Sequence, residues 1–252
     1  MSQLAHTRPR SVTEIIDASF RFYRARFGDL MVLSALLLVP PVLLAALAPT
    51  WLGLPLVLLF MCAYLAGQGA IAVLVAASIE RDETLWAGTV FRRLGGRRAV
   101  TVILVSIAAA LLAGLGFLFF IIPGFIAIAW LAASVPVAAI EGLSVGGAIR
   151  RSRDLARGRI WHIYGTLLLV WLILFVLAMG VVFAFVMFVA ALNLPLPVIS
   201  LLGQLVQLPV FPLVSVVSTM LYYDLRVRTD GADVAAMIEA LPVTPIVPAE
   251  PA

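Results

Sequence analysis

Few side chains in the apolar part of this sequence can do chemistry. Gln68, Gln204 and Gln207 are the main polar groups within three long stretches that contain no charged residue. Gln204 and Gln207 are three residues apart, so they share one face of a helix. Pro209 and Pro212 follow them, and each proline removes an amide donor and leaves a carbonyl free one turn earlier. This pattern predicts a kinked helix with a cavity or hinge, although hydrogen bonds between neighbouring helices are the simpler explanation.

Arginines supply the other candidate chemistry. All 17 basic residues are arginines, and they fall in four segments that flank the uncharged stretches. Arg150, Arg153 and Arg157 recur at helical spacing, as do Arg21 and Arg24 in the first segment. Such groups can contact anionic lipid, each contributing about 1 kcal/mol near the surface. Orientation of the chain in a membrane also accounts for the arginines without any further function.

Catalytic and metal-binding patterns are missing from the sequence. Cys62 is the single cysteine and there are two histidines, which is too few for a Cys/His metal site. The sequence shows no carboxylate pair in the uncharged stretches and no phosphate-binding glycine loop. We therefore expect no catalytic residue, metal or cofactor. A weaker alternative is a membrane-embedded enzyme that uses Glu141, Asp154 or Asp224.

Composition places all these residues in a membrane protein. The 252 residues are 63% hydrophobic and 12% charged, whereas soluble domains carry about 25% charged residues. Residues 30–79, 99–140 and 160–223 are uncharged, and each stretch is long enough for two helices of ~20 residues. We predict an all-α integral membrane protein with six transmembrane helices in three hairpins. The predicted spans are residues 30–48, 53–79, 99–122, 125–140, 161–191 and 196–222, with turns rich in Pro and Gly between the members of each pair.

The arginines orient the chain. None lies in the three predicted turns, so the positive-inside rule places both termini in the cytoplasm. We expect a multi-pass protein of the bacterial cytoplasmic (inner) membrane whose partners are membrane lipids with anionic head groups and another membrane protein, and not nucleic acid. Residues 1–10 are predicted to be a tail, residues 11–228 the membrane domain, and residues 229–252 a cytoplasmic tail that is disordered after residue 241.

A basic segment precedes each predicted hairpin, and we expect each segment to form an amphipathic helix in the membrane interface. Ser11 and Glu14 have the spacing of a capping box at the start of the first helix. The third segment matches the first at a constant offset of 133 residues, for example Ser144 with Ser11. Residues 84–98 are a poorer copy. Three repeated units would explain this likeness, and so would the composition common to interfacial helices.

Three stretches of the chain together resemble a known family. They are residues 8–24, beginning Arg-Pro-Arg-Ser-Val-Thr-Glu; residues 122–161, with Ile-Pro-Gly and later Ala-Ile-Arg-Arg-Ser-Arg-Asp-Leu; and residues 221–228, Leu-Tyr-Tyr-Asp-Leu-Arg-Val-Arg. This pattern is similar to the glycerophosphoryl diester phosphodiesterase membrane domain family, over about residues 8–233. The resemblance implies a six-helix membrane domain, which in some members is joined to a soluble phosphodiesterase. Because the 24 residues after Arg228 are too few for that enzyme, we expect no hydrolase activity, and no functional residue is carried over.

The sequence favours a non-enzymatic inner-membrane protein that acts as an accessory or scaffold for a lipid- or envelope-related partner. The alternative is a transporter or flippase of a lipid-like or neutral solute. The uncharged stretches argue against a pump coupled to protons or sodium, because such pathways usually place an ionisable group within the membrane.

Overall fold

The computed structural model describes residues 9–47, 49–81, 83, 85–192, 199, 203 and 208–239, so the predicted tail after residue 241 lies outside them. The described residues form helices and turns and contain no strand. In chain order the helices are α1 (Val12–Ala25), α2 (Phe27–Leu47), a 3-10 turn (Thr50–Leu52), α3 (Gly53–Glu80), α4 (Ala87–Phe119), α5 (Ile121–Leu131), α6 (Ser134–Glu141), α7 (Val145–Ala156), α8 (Ile160–Leu192) and α9 (Val210–Glu239).

Six helical segments in the described part of the chain are long and apolar enough to cross a membrane. They are Phe27–Leu44, Gly53–Glu80, Ala87–Phe119, Ile121–Glu141, Ile160–Val189 and Val210–Gly231. The predictions of an all-helical fold and of six helices able to span a membrane are therefore confirmed for the described residues. The fourth segment consists of α5 and α6 together.

The chain reverses between α4 and α5 at Phe120, whose backbone is extended. The sequence predicts this turn slightly later in the chain, at residues 122–125. Pro123 instead lies in the first turn of α5, where a missing amide costs little because those amides lack an intrahelical acceptor. Gly116 is needed there because a Cβ on it would lie 2.8 Å from the Gly124 Cα, and Gly124 is needed because a Cβ on it would clash with the Phe117 ring. The tight reversal thus depends on two glycines facing each other.

A break separates α5 from α6 in the middle of the fourth membrane-spanning segment. Pro136 has no amide to donate to the carbonyl of Ala132, one turn earlier. The hydroxyl of Ser218, on α9, donates to that carbonyl instead, at 3.1 Å. A neighbouring helix therefore satisfies the group that the proline frees, as the absence of water inside a bilayer requires.

The two carbonyls before the break are satisfied in the same way. The carbonyl of Leu131 accepts a hydrogen bond from Ser134 Oγ at 2.7 Å. The carbonyl of Trp130 accepts one from Ser152 Oγ on α7, also at 2.7 Å. Hydroxyl groups from α6, α7 and α9 thus hold the broken helix in place.

Packing is concentrated at one end of the molecule, which we call the arginine-rich end. This end consists of the starts of α2, α4 and α8, the ends of α3, α6 and α9, and the short helices α1 and α7. Helix α9 is central, since 67% of its most apolar 18-residue stretch is buried, whereas no residue of the corresponding stretch of α8 is buried. Tyr222 and Leu225 of α9 are fully buried, as are Ile15 of α1 and Leu155 of α7. The exposed apolar surface of α8 is the kind of surface that lipid covers.

Helix α4 is interrupted where it enters this end. Gly95 has φ +62° and ψ 157°, a left-handed conformation that glycine adopts without steric cost. Residues 87–94 therefore form a short helix distinct from the long membrane-spanning part. The chain thus enters α2, the long part of α4, and α8 each through a short helix.

Candidate functional site

A buried carboxylate forms the centre of the arginine-rich end. The Asp224 side chain, on α9, has no exposed surface. It accepts hydrogen bonds from the backbone amide of Arg10 at 2.6 Å and from Arg228 Nε at 2.7 Å. His162 Nε2, at the start of α8, lies 2.9 Å from Asp224 Oδ2, the oxygen that also accepts from Arg228. Arg228 also donates to the carbonyl of Arg10, so the N-terminal segment, α8 and α9 are joined through one carboxylate.

The arrangement around Asp224 is typical of a structural ion pair. Burying a carboxylate is costly unless it is paired and hydrogen-bonded. Arg228 supplies the opposite charge from one helical turn away, and the other donors come from distant parts of the chain. The carboxylate has no exposed surface to offer a substrate.

A second cluster joins α6 and α7 to the same helix. The hydroxyl of Tyr222 donates to Glu141 Oε1 at 2.8 Å. Arg151 Nε lies 3.5 Å from the same carboxylate oxygen. Arg226 donates to the Tyr222 hydroxyl at 3.5 Å. Glu141, at the end of the fourth spanning segment, is therefore held from two sides.

A third cluster joins α3 to α9. The hydroxyl of Tyr223 donates to Glu80 Oε1 at 2.8 Å, and Arg226 Nη1 lies 4.0 Å from that oxygen. Asp230 bridges the second and third clusters, since it is 3.4 Å from Arg226 Nε and 3.3 Å from Arg151 Nη2. Adjacent tyrosines on α9 thus bind carboxylates from two different helices.

Two arginines at junctions between short and long helices make matching contacts. Arg26, between α1 and α2, donates to Ser78 Oγ and to the backbone carbonyl of Glu83, both at 3.1 Å. Arg159, between α7 and α8, donates to Thr229 Oγ1 at 2.7 Å and to the backbone carbonyl of Arg228 at 2.8 Å. These are the two arginines that correspond at the offset of 133 residues. Each ties the start of one long helix to the end of the next.

The arginines predicted to contact lipid lie outside this network of clusters. All five are exposed: Arg21, Arg24, Arg150, Arg153 and Arg157. The guanidinium of Arg153 lies 4.5 Å above the Trp130 ring, and Arg157 Nε is 3.5 Å from Asp154 Oδ1 on the same helix. The arginines of this end therefore divide into an inward set that joins helices and an outward set that is accessible.

The predicted cavity or hinge is described only in part. Gln68 is half-buried on α3. Gly67 beside it packs closely on Phe211, since a Cβ on this glycine would lie 2.9 Å from the Phe211 ring. Pro212 is buried in the first turn of α9. This contact brings the part of α3 that carries Gln68 close to the start of α9.

The other members of that prediction are dispersed. Gln204 and Gln207 lie outside the described residues. The carbonyl of Pro209 accepts a hydrogen bond from the Tyr23 hydroxyl of α1 at 2.9 Å. Burial raises the pKa of Tyr23, which keeps its hydroxyl a donor.

The acids considered for an enzyme do not share one site. Asp224 is enclosed, Glu141 is bound by Tyr222, and Asp154 pairs with Arg157 on the surface of α7. In the part of the chain that the structure describes, no group of three or more His, Cys, Asp or Glu residues is placed to hold a metal ion.

The sequence does not predict the network formed by these three clusters. The four-residue spacing of Asp224 and Arg228 is a signal for an ion pair on a helix. The contact of His162 with Asp224 spans 62 residues, and no local pattern indicates it.

The fold and these clusters define a multi-pass α-helical membrane protein in which a polar network closes the arginine-rich end. No model of a known protein family matches the chain, and neither a curated protein nor a solved structure matches it. The resemblance to the phosphodiesterase membrane domain therefore stays a prediction.

Proposed function

We propose that this protein is a non-enzymatic accessory or scaffold protein of the bacterial cytoplasmic membrane, serving a lipid- or envelope-related partner. The observation that carries the proposal is the division of the arginines into two sets. The inward set fixes helix ends to one another, and the outward set on α1 and α7 is exposed, where it can meet a charged surface. A rigid platform that presents basic side chains is what a docking protein needs.

The state of the acidic groups supports a structural role for the network. Asp224, Glu141 and Glu80 each bind a tyrosine, a histidine or an arginine of another helix or turn. A general acid or base must reach a substrate proton at hydrogen-bond distance. These three carboxylates are instead occupied in joining helices.

The proposed orientation follows from the same end of the molecule. The arginine-rich end faces the cytoplasm, as the positive-inside rule predicts. The six spans form three hairpins, and a short helix that lies in the membrane interface precedes each one: α1, residues 87–94, and α7. In this position Arg21 and Arg150 would lie at the level of the lipid head groups.

Anionic lipid is the proposed contact of the exposed arginines. Replacing all five by glutamine should reduce the anionic lipid that is retained around the protein when it is extracted together with its native membrane. Lysine at the same five positions is the matched control, since it keeps the charge and should retain the lipid. Mass spectrometry of the extracted lipids measures both. Equal lipid retention in the glutamine and lysine variants, or turnover of a lipid by the purified wild-type protein, would contradict the proposal.

Transport of a lipid-like or neutral solute is the second candidate function. It is favoured by the close contact between α3 at Gly67 and α9 at Phe211, which sets Gln68 near the segment that carries the other two glutamines. Replacing Gln204 and Gln207 together by leucine should abolish transport by reconstituted protein while leaving folding intact. Transport at the wild-type rate would exclude these glutamines from a pathway.

A further inference from the structure

A cleft of about 290 Å³ opens at the arginine-rich end between the end of α3, the start of α4 and α6. Its inner wall is apolar and is formed by small and branched side chains of α3 and α6, such as Ala77 and Ile140. Its remaining lining residues are Glu80, Arg81, Arg93 and Arg98. A basic opening above an apolar wall suits a ligand with an anionic head and an uncharged remainder.

The cleft carries an excess of positive charge. Arg93 pairs with Glu83 at 2.6 Å, and Glu80 is bound by Tyr223. Arg81 and Arg98 have no ion pair or hydrogen bond from their side chains to any described residue. Asp82, next to Arg81 in sequence, lies outside the described residues. Two guanidinium groups thus face the cleft without a described carboxylate at ion-pair distance. Glu80, the acid in the lining, lies 4.0 Å from Arg226 Nη1 of α9.

One close contact restricts the Arg98 side chain, which is exposed and pairs with no described carboxylate. Gly142, at the end of α6, has φ +68°, and its Cα lies against the Arg98 side chain. A Cβ at this position would be 3.1 Å from Arg98 Nε. A guanidinium that is positioned before binding loses less freedom when a ligand arrives.

One of the carbonyls at the end of α3 that would oppose an anion already has donors. The carboxyl end of a helix carries partial negative charge on its free carbonyls, which disfavours an anion. The carbonyl of Ala77 is occupied, since it accepts the amides of Arg81 at 3.1 Å and Glu83 at 3.3 Å.

We propose that this cleft binds a phosphate monoester head group, with Arg81 and Arg98 as its principal ligands and Arg93 at its edge. Guanidinium groups match the geometry of phosphate oxygens and bind them through paired hydrogen bonds. A volume near the lower limit of ligand sites, about 300 Å³, fits one head group and not a whole lipid. The phosphate belongs either to phosphatidic acid or to a free phosphate ester such as glycerol phosphate. This site is separate from the exposed arginines of α1 and α7, and it does not depend on the scaffold function.

The test compares two charge-matched double variants of the full-length protein. Arg81→Gln with Arg98→Gln removes the proposed ligands, and Arg92→Gln with Arg97→Gln removes the same charge from exposed positions near the start of α4 that do not line the cleft. Native mass spectrometry measures binding of phosphatidic acid to protein in phosphatidylcholine nanodiscs, and calorimetry measures binding of glycerol phosphate in detergent. We expect the first variant to bind at least about tenfold more weakly, the effect of losing ~1.4 kcal/mol, and the Arg92/Arg97 variant to bind within twofold of wild type. Equal losses in both variants, or no loss in the first, would overturn the site.

A measurement on the wild-type protein keeps the proposal testable if a variant fails to fold. Phenylglyoxal modifies accessible arginines, and mass spectrometry gives the rate at each position. Glycerol phosphate or phosphatidic acid should slow modification of Arg81 and Arg98 and leave the exposed Arg92, outside the cleft, unchanged. Protection by the lipid alone identifies a lipid head group, and protection by both identifies phosphate chemistry in general. An unchanged rate at Arg81 and Arg98 with both ligands would refute the proposal.

Discussion

Asp224 shows how single residues close the arginine-rich end. Its carboxylate is enclosed and receives donors from the N-terminal segment, α8 and α9. Removing one partner of a buried ion pair leaves the other without compensation, which costs more than the pair itself contributes. Asp230 also binds two arginines, but its side chain is 47% exposed, so water screens both contacts.

Asp224→Asn should lower the free energy of unfolding by about 3 kcal/mol or more, because it strands the Arg228 guanidinium. Asp230→Asn is the matched control and should cost about 1 kcal/mol or less. Reversible denaturation in mixed micelles measures both. Similar costs for the two variants would show that Asp224 is not the centre of the network.

At the residue scale the sequence predicts composition better than contacts. It predicts arginines at one end and a capping box at Ser11 and Glu14, and the capping box is confirmed. Which arginines point inward cannot be read from spacing, because Arg150 and Arg151 are neighbours with opposite roles. Their directions depend on where Glu141 and Asp230 lie in the folded chain.

At the element scale, hydroxyl groups support the helices that the sequence interrupts. Ser152 of α7 is buried and donates to the carbonyl of Trp130 beside the break in the fourth spanning segment. Ser106 of α4 donates instead to the carbonyl of Val102 in its own helix. The proline at residue 136 predicts a weak point, but the donors that stabilise it come from distant parts of the chain.

Ser152→Ala should cost about 1–3 kcal/mol of stability, since it removes the side-chain donor to the partly buried Trp130 carbonyl beside the helix break. Ser106→Ala removes a hydroxyl from a carbonyl that lies within a regular helix and should be nearly neutral. Thermal unfolding of the two purified variants compares these costs. A neutral Ser152→Ala would mean that the break does not depend on α7.

The short helices α1 and α7 show further similarity at the offset of 133 residues. Ser11 and Ser144 both cap the helix that follows, and Ser19 and Ser152 are both buried. Arg26 and Arg159, which precede α2 and α8, donate to Ser78 and Thr229 near the ends of α3 and α9. The sequence pattern thus agrees with matching packing in two of the three predicted units.

At the scale of the whole molecule, low charge and long apolar stretches suffice to predict six membrane-spanning helices. The central position of α9 could not be predicted, because the most buried spanning helix is the least apolar one. Its polar residues bind the other helices, whereas the more apolar α8 has the exposed surface. Hydropathy ranks helices by their affinity for lipid and not by their contacts with protein.

The orientation of the whole molecule is testable with cysteine labelling. Cys62 is replaced by alanine, and a new cysteine is introduced at Arg157 in one variant and at Phe120 in the other. The Phe120→Cys variant should react with a membrane-impermeant maleimide in intact spheroplasts, and the Arg157→Cys variant only after lysis. The reverse pattern would place the arginine-rich end outside the cytoplasm.

The most direct test of the scaffold function is mass spectrometry of the protein extracted from cells together with its surrounding membrane and without detergent. We predict that another membrane protein is recovered with it in a fixed stoichiometric ratio, along with anionic lipid. Recovery of a single enriched lipid with no protein partner would contradict the scaffold function and favour lipid transport.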